Sequence, residues 1–409
     1  MLQFPQAARE PALSPDDLVI TAMGMVSSLG PGVVQGCAAA RGGLTRWAEL
    51  DVDAMDDDEL RSVPLRGHAI QGLTNGFAGM ARFLRLGDAA LLDMLAYGAS
   101  APDFLSGAHF LLHLPDDTYD EAHFERMEQP FYSAGERDKA RRLRSEERAA
   151  FRGKLARRLL PELLALHGIR TSAAAHHCSF GGPAGFATCL LEAERLLRSR
   201  ATKCCVLGGI DSLVAGDTLR TLQELGLLQH GHNPDGFFPG EGAAFLCIER
   251  FETARARGAR VEAWVGAAAH AREEASRFSG RPPTGAGLFQ AIHAAYRRLG
   301  PPAPTVNLAI GNLNGSSHRA NDFANTLVRL GQAGLPRDFR QWSTATSFGE
   351  LGAATGAVAT CLGVRAFVRG YANAPHVLVW LESDGGDRGA FFLGDVPSRE
   401  DSSRRRGHA

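Results

Sequence analysis

Cys178 closes the run His176-His177-Cys178. A thiol beside an imidazole is the pairing that acyl-transfer nucleophiles use, because the ring draws off the proton and leaves a thiolate. The spacing limits that chemistry. Consecutive side chains of a strand point to opposite faces, so only one of His176 and His177 can share a face with Cys178. The plainer role for Cys178 is that of a small apolar residue packed in a sheet. The run DGFFPGEGA from Asp235 has the glycines of a phosphate loop, but they do not follow a strand and open a helix as nucleotide fingerprints require. The seven cysteines are odd in number, sit mostly in apolar runs and form no C-x-x-C pair. Neither a disulfide framework nor a thiolate metal site is suggested, and no cofactor or metal is expected.

These residues must be held by regular elements. Leu18 to Gly30 (LVITAMGMVSSLG) reads as a buried strand ending in a Ser/Gly turn, followed by a helix over 33–40. From about residue 51 to 165 the composition changes, with acidic runs and then the basic stretch from Glu136 to Arg158, whose Glu and Arg residues recur at helical spacing. Its ordinary role is a solvated helix; its functional one is a docking face for an acidic partner. Beyond it, strands over 172–180, 203–208, 243–249, 260–267, 306–310 and 376–381 alternate with helices over 187–199, 251–257, 287–299, 322–330 and 352–369. That alternation favours an α/β protein with helix-covered sheets. With 409 residues and 44% hydrophobic content the chain can bury a large core, in roughly two to three domains by length. A formal net charge of −1 points to neither nucleic acid nor an anionic membrane. No signal peptide and no long apolar span is found, so a cytoplasmic protein is expected. The tail from Ser398 is expected to be disordered.

Several of these segments resemble the β-ketoacyl synthases. LVITAMGMVSSLG is similar to that family's first strand and turn, KCCVLGGIDS (Lys203 to Ser212) to its A-G-G-x-E/D strand, and DGFFPGEGA followed by Arg257-Gly258-Ala259 to its D-G-F-x-x-G-E-G-A and A-R-G-A elements. The resemblance implies the thiolase fold: two similar α/β halves in a five-layer αβαβα arrangement. The halves would run over 18–251 and 252–397, with an insert near 51–165 and a leader over 1–17.

The resemblance also locates the family's chemistry, and at each place this chain departs from it. The nucleophilic cysteine, which the family sets at a helix N-terminus, falls on Gly182. The histidine of H-G-T-S-T falls on Asn314 in NGSSHRAND, and the lysine and histidine of K-S-x-x-G-H fall on Ala345 and Glu350 in ATSFGELGAATG. The gating loop G-F-G-G-T-N corresponds to Ser383-Asp384-Gly385-Gly386-Asp387-Arg388, which has no aromatic. An ionised Glu350 accepts hydrogen bonds only and would oppose an oxyanion, whereas Asn314 could still donate. Cys178 and His318 remain as fallback candidates, the latter most simply a loop histidine. The resemblance therefore implies a ketosynthase-like protein without the Cys-His-His machinery, not expected to be active alone. It would be a partner subunit in fatty acid or polyketide biosynthesis, as a homodimer or a heterodimer with an intact ketosynthase, with acyl carrier protein as a further partner. Pairing is expected through an edge strand at Lys203–Gly208. The alternatives are an adaptor, for example in a bacterial secretion system, and an acyltransferase or hydrolase that uses Cys178 or Glu350.

Overall fold

The structure, a computed structural model, describes residues 13–56, 61–98, 102–300 and 304–396. Most of the expected leader and the tail from Ser398 lie outside the described residues.

The first half runs β1 (Leu18–Val26), α1 (Val33–Arg41), β2 (Ala48–Asp56), β3 (Arg61–Gly67), α2 (Gly79–Gly98), α3 (Pro102–Leu105), β4 (His109–Leu114), α4 (Thr118–His123) and α5 (Ala134–Leu166). It continues through β5 (His176–Phe180), α6 (Gly185–Arg198), β6 (Cys204–Ser212), α7 (Gly216–Glu224) and β7 (Glu241–Arg250). The remainder runs α8 (Phe251–Ala256), β8 (Ala263–Arg272), α9 (Ala286–Leu299), β9 (Val306–Gly311), α10 (Ser317–Gln332), β10 (Arg340–Ser343), α11 (Ala345–Phe348), α12 (Thr355–Val368), β11 (His376–Glu382) and β12 (Asp387–Gly394).

Ten strands join in the order β10-β9-β11-β12-β8-β1-β7-β6-β4-β5, while β2 and β3 form a separate antiparallel pair. β1 and β7 are buried along their whole length, which is why their sequences read as unbroken apolar runs rather than alternations: both faces of the sheet are covered. On one side α6 and α12 share a core with Ile20, Met23, Leu207, Leu246 and Val379. These two helices touch strands from both ends of the sheet and so form the middle layer. α2 and the C-terminal part of α5 cover the outer face of β1, β6 and β7, and α9 and α10 cover that of β8, β11 and β12. Helix, sheet, helix, sheet, helix is the layering of the thiolase fold.

Two expectations are corrected. Lys203–Gly208 is not an edge: β6 lies between β7 and β4, paired on both sides. An apolar run in an α/β sheet marks burial, and burial is deepest in the interior. Among the described residues the sheet ends at β5 and β10. Nor is 51–165 one appended unit. β4 is an interior strand, and α2 buries Phe83, Leu86, Ala90, Leu91 and Met94. α5 changes character along its length: its first two thirds are solvated Glu/Arg surface, whereas Leu155, Leu159, Leu160, Leu163 and Leu164 are buried at the spacing of one helix face. A capping box of Ser133 and Glu136 starts it.

Candidate functional site

Gly182 lies in the turn from β5 into α6, where Gly185 N–H closes onto the Gly182 carbonyl at 3.0 Å. The first amides of a helix lack partners inside the helix and attract an acceptor. Here Ser383, in the turn between β11 and β12, supplies it: its Oγ accepts from Ala184 N–H at 3.0 Å. A Cβ on residue 182 would come within 2.7 Å of that Oγ and 2.9 Å of the Ser383 Cβ. The absence of a side chain at 182 and the presence of Ser383 are therefore one packing solution.

Behind the turn lies His113 of β4, 1% exposed. Its Nε2 is 2.9 Å from the Gly182 carbonyl, which can only accept, so Nε2 carries the hydrogen and Nδ1 accepts from Ser179 Oγ at 2.9 Å. Cys189 Sγ then donates to Ser179 at 3.0 Å. Burial lowers the His113 pKa, which favours the neutral ring that this chain of bonds needs.

The structure brings Asn314 and Glu350 together. Asn314 Nδ2 donates to Glu350 Oε2 at 2.7 Å, so its donor is spent on the carboxylate rather than free for a ligand. Gly352 N–H reaches Glu350 Oε1 at 3.1 Å. Arg319, from the first turn of α10, completes the set. Its Nη1 pairs with Glu350, its Nε and Nη2 meet Asp384 Oδ1 at 3.2 and 3.1 Å, and Nη1 also donates to Asn312 O at 3.0 Å. Tyr119 caps the network, its hydroxyl donating to Asp384 Oδ2 at 3.1 Å. Arg319 is 1% exposed and Glu350 2%, so these charges have each other and little water. Burial alone would raise the Asp384 carboxyl, but Arg319, with Arg277, outweighs it and holds the group below the usual carboxylate range. The DGFFPGEGA run grips the backbone here: Glu350 N–H bonds Phe238 O at 2.8 Å and Gly240 N–H bonds Glu350 O at 2.9 Å.

The other candidates stand apart from this network. Ala345 opens α11 and offers only a methyl. His318 donates through Nε2 to Ala275 O at 3.2 Å, while its neighbour Arg319 takes the interior position. Cys178 faces α5, its Sγ 3.9 Å from Ala156 O, and burial raises the thiol to about 11; such a group is a poor nucleophile at neutral pH. His176 bonds Thr171 and His177 pairs with His109, so neither histidine serves Cys178. Among the described residues no cluster of three or more His, Cys, Asp or Glu side chains could hold a metal, and no helix is long and apolar enough to cross a membrane.

A cavity of about 650 Å³ opens onto the Gly182 turn, between α2, α4 and α5 on one side and Gly352 and Ser383 on the other. Asp211 lies in its wall, accepting from Ser212 N–H at 2.7 Å and Ala353 N–H at 2.8 Å. Burial nonetheless pushes its carboxyl up to about 7. Sequence reasoning did not foresee the contacts of Arg319, Ser383, His113 and Tyr119. Arg319 left a trace as a charge inside a segment otherwise resembling a ketosynthase motif, and Ser383 as the first residue of the gating-loop counterpart; Tyr119 and His113 come from the stretch where the resemblance is weakest.

No family model matches the chain. It is 28% identical over 179 residues to 3-oxoacyl-[acyl-carrier-protein] synthase 2 of Rhizobium meliloti, covering 39% of this chain and 42% of that protein. It is 28% identical over 188 residues to the polyketide synthase ThaG of Burkholderia thailandensis, covering 42% of this chain and 3% of that protein. The match thus spans less than half of the first relative and a small fraction of the second. Among solved structures, the ishigamide ketosynthase/chain length factor aligns with a TM-score of 0.70 at 17% identity, over 93% of this chain and all of that one. The ketosynthase complex AntDE:AntF aligns with 0.70 at 14%, over 94% of this chain and all of that one. The oxazolomycin ketosynthase domain OzmH KS7 of Streptomyces albus aligns with 0.68 at 16%, over 94% and 76%. The chain has the thiolase-like fold of these ketosynthase structures, and part of its sequence is similar to a 3-oxoacyl-[acyl-carrier-protein] synthase and a polyketide synthase.

Proposed function

We propose that this chain is a ketosynthase-like subunit that carries no condensing chemistry of its own and works in the cytoplasm as the partner of an intact ketosynthase in fatty acid or polyketide biosynthesis. The observation that carries this reading is the buried Asn314, Glu350, Arg319 and Asp384 network. Condensation needs donors aimed at a developing oxyanion in a dry pocket. Around Glu350 the donors are consumed by a resident carboxylate, and at Gly182 the helix amide is occupied by Ser383. The relatives support the pathway class, and the likeness to a ketosynthase/chain length factor and to AntDE:AntF, a ketosynthase in complex with its acyl-carrier protein, supports the partner classes. β5 is the edge open to such a partner; its five residues are all half-buried, and an unpaired edge strand is a template for a second sheet.

The test is co-expression with an intact ketosynthase from the same source, followed by native mass spectrometry. A one-to-one complex that is lost when Cys178, central in β5, is replaced by proline supports the reading. Two separate species, with this chain self-associated or monomeric, would overturn it.

A further inference from the structure

A second cavity, of about 210 Å³, lies away from the Gly182 turn, between the C-terminal end of α1, β10 and α11. We propose that it is a binding site for a small planar carboxylate of the aromatic-acid class. Its walls are Trp342 and Tyr371, with ring centres 5.8 Å apart and planes tilted by 38°, and its floor is Phe348 and Leu362. Arg41 is the charged residue of the lining. Its guanidinium stands 5.3 Å over the Tyr371 ring, and among the described residues no carboxylate pairs with it. A cation stacked on an aromatic face and left without a counter-ion fits a ligand that brings its own negative charge.

The surroundings carry the same sign. Arg365 and Arg369 act on Tyr371 together with Arg41, and Arg340 donates to the carbonyls of Tyr371 and Ala372 at 3.3 and 2.6 Å. The carboxylate acting from behind, Asp93, is engaged by the amides of Met25 and Val33 at 2.9 and 2.7 Å. Cys37, also in the lining, is a neutral thiol, since burial pushes it up to about 12. Size narrows the class further. Sites for drug-sized ligands run to roughly 300–1,000 Å³, so this cavity suits one substituted ring and is too small for a long acyl chain.

The experiment is isothermal titration of the full chain with 4-hydroxybenzoate and with its uncharged counterpart 4-hydroxybenzamide, repeated with Arg41→Gln, Arg41→Lys and Trp342→Ala. The expected result is saturable one-site binding of the acid, at least about tenfold tighter than the amide, because the charge-assisted contact is the one the amide lacks. Arg41→Gln should erase that ratio and Arg41→Lys keep part of it; Trp342→Ala should weaken acid and amide alike; added salt should weaken the acid alone. Arg41 is exposed, so its replacements leave the fold intact, and a thermal melt of each variant verifies this. No saturable binding of the acid up to about 10 mM, equal binding of acid and amide, or binding unchanged in Arg41→Gln would each overturn the proposal. None of these outcomes depends on whether the chain transfers acyl groups or pairs with a ketosynthase.

Discussion

Replacing Arg319 by methionine keeps the volume of the side chain and removes the one cation shared by Glu350 and Asp384. Both carboxylates are nearly inaccessible to water, at 2% and 6% exposure, so neither can turn to solvent for compensation. Breaking a buried pair by deleting one partner costs about 3–5 kcal/mol, because a desolvated charge is left behind. At about 2.1 cal/mol/K per residue, a chain of 409 residues unfolds with an entropy of about 0.9 kcal/mol/K, so that cost lowers the melting temperature by about 4–6 °C. The pH dependence carries the sign. In the native chain the Asp384 carboxyl titrates below its ordinary value, so its contribution is complete above the unfolded value of about 3.9 and is lost as pH falls through the lower folded value. In the variant the Asp384 carboxyl loses Arg319, the larger of the cations that hold it down, and rises, so stability falls as pH increases above about 4. The gap between native chain and variant should therefore widen from pH 4 to pH 8, and Glu350→Gln added to Arg319→Met should recover part of it. Differential scanning fluorimetry across that range is the assay. A gap under about 1 °C, or one that does not change with pH, would refute the assignment of Arg319 as the shared counter-ion.

Three further outcomes are expected. Gly182→Cys alone should lower the melting temperature and give a thiol that reacts slowly with iodoacetamide, because its Cβ meets Ser383 at 2.7 Å. Adding Ser383→Ala should restore much of the stability and speed alkylation, and equal rates in the single and double variants would contradict this. Asp211, whose folded carboxyl is raised to about 7, takes up a proton more readily folded than unfolded, so it makes stability decline as pH rises from about 4 to 7. Asp211→Asn should flatten that slope in a pH-melting series, even if the variant is less stable throughout, since the amide cannot accept both backbone bonds. Reversing Arg141, Arg142 and Arg144 to glutamate should change stability by no more than about 1 kcal/mol per pair, since Glu125 and Glu128, the partners of Arg141 and Arg144, are partly solvated and Arg142 reaches only the Asp138 carbonyl; it should weaken the ketosynthase complex in a salt-dependent way, as a co-purification series in sodium chloride would report.

The layered α/β architecture was legible because its strands are long apolar runs and its helices have clear periods, as in 187–199 and 287–299, which differ from α6 and α9 by a residue or two at their ends. β4 was hidden because the two histidines of HFLLHL and the charged stretches around it masked a buried core. β12 was hidden because Asp387 and Arg388 read as loop, while in the fold Arg388 is buried against Asp322 at 2.8 Å. The edge was misplaced for a related reason: Lys203-Cys204-Cys205-Val206-Leu207 is apolar because it is interior, whereas the true edge, His176–Phe180, is polar and half-buried. At the site, the departures at Gly182, Asn314, Ala345 and Glu350 could be proposed from the resemblance to the ketosynthase motifs. What compensates them could not, because Ser383, Arg319 and Tyr119 reach the site across 201, 31 and 231 residues of sequence from Gly182 or Glu350, and no local pattern encodes a contact at that range.

Intact-mass spectrometry of the purified chain after incubation with acyl-CoA and with acylated carrier protein tests the central claim most directly. The account predicts an unchanged mass, with no malonyl-carrier decarboxylation in the same mixture, because residue 182 offers no nucleophile and Cys178 is held as a neutral thiol against α5. A stoichiometric acyl adduct, mapped by peptide digestion to Cys178 or to any other side chain, would contradict it.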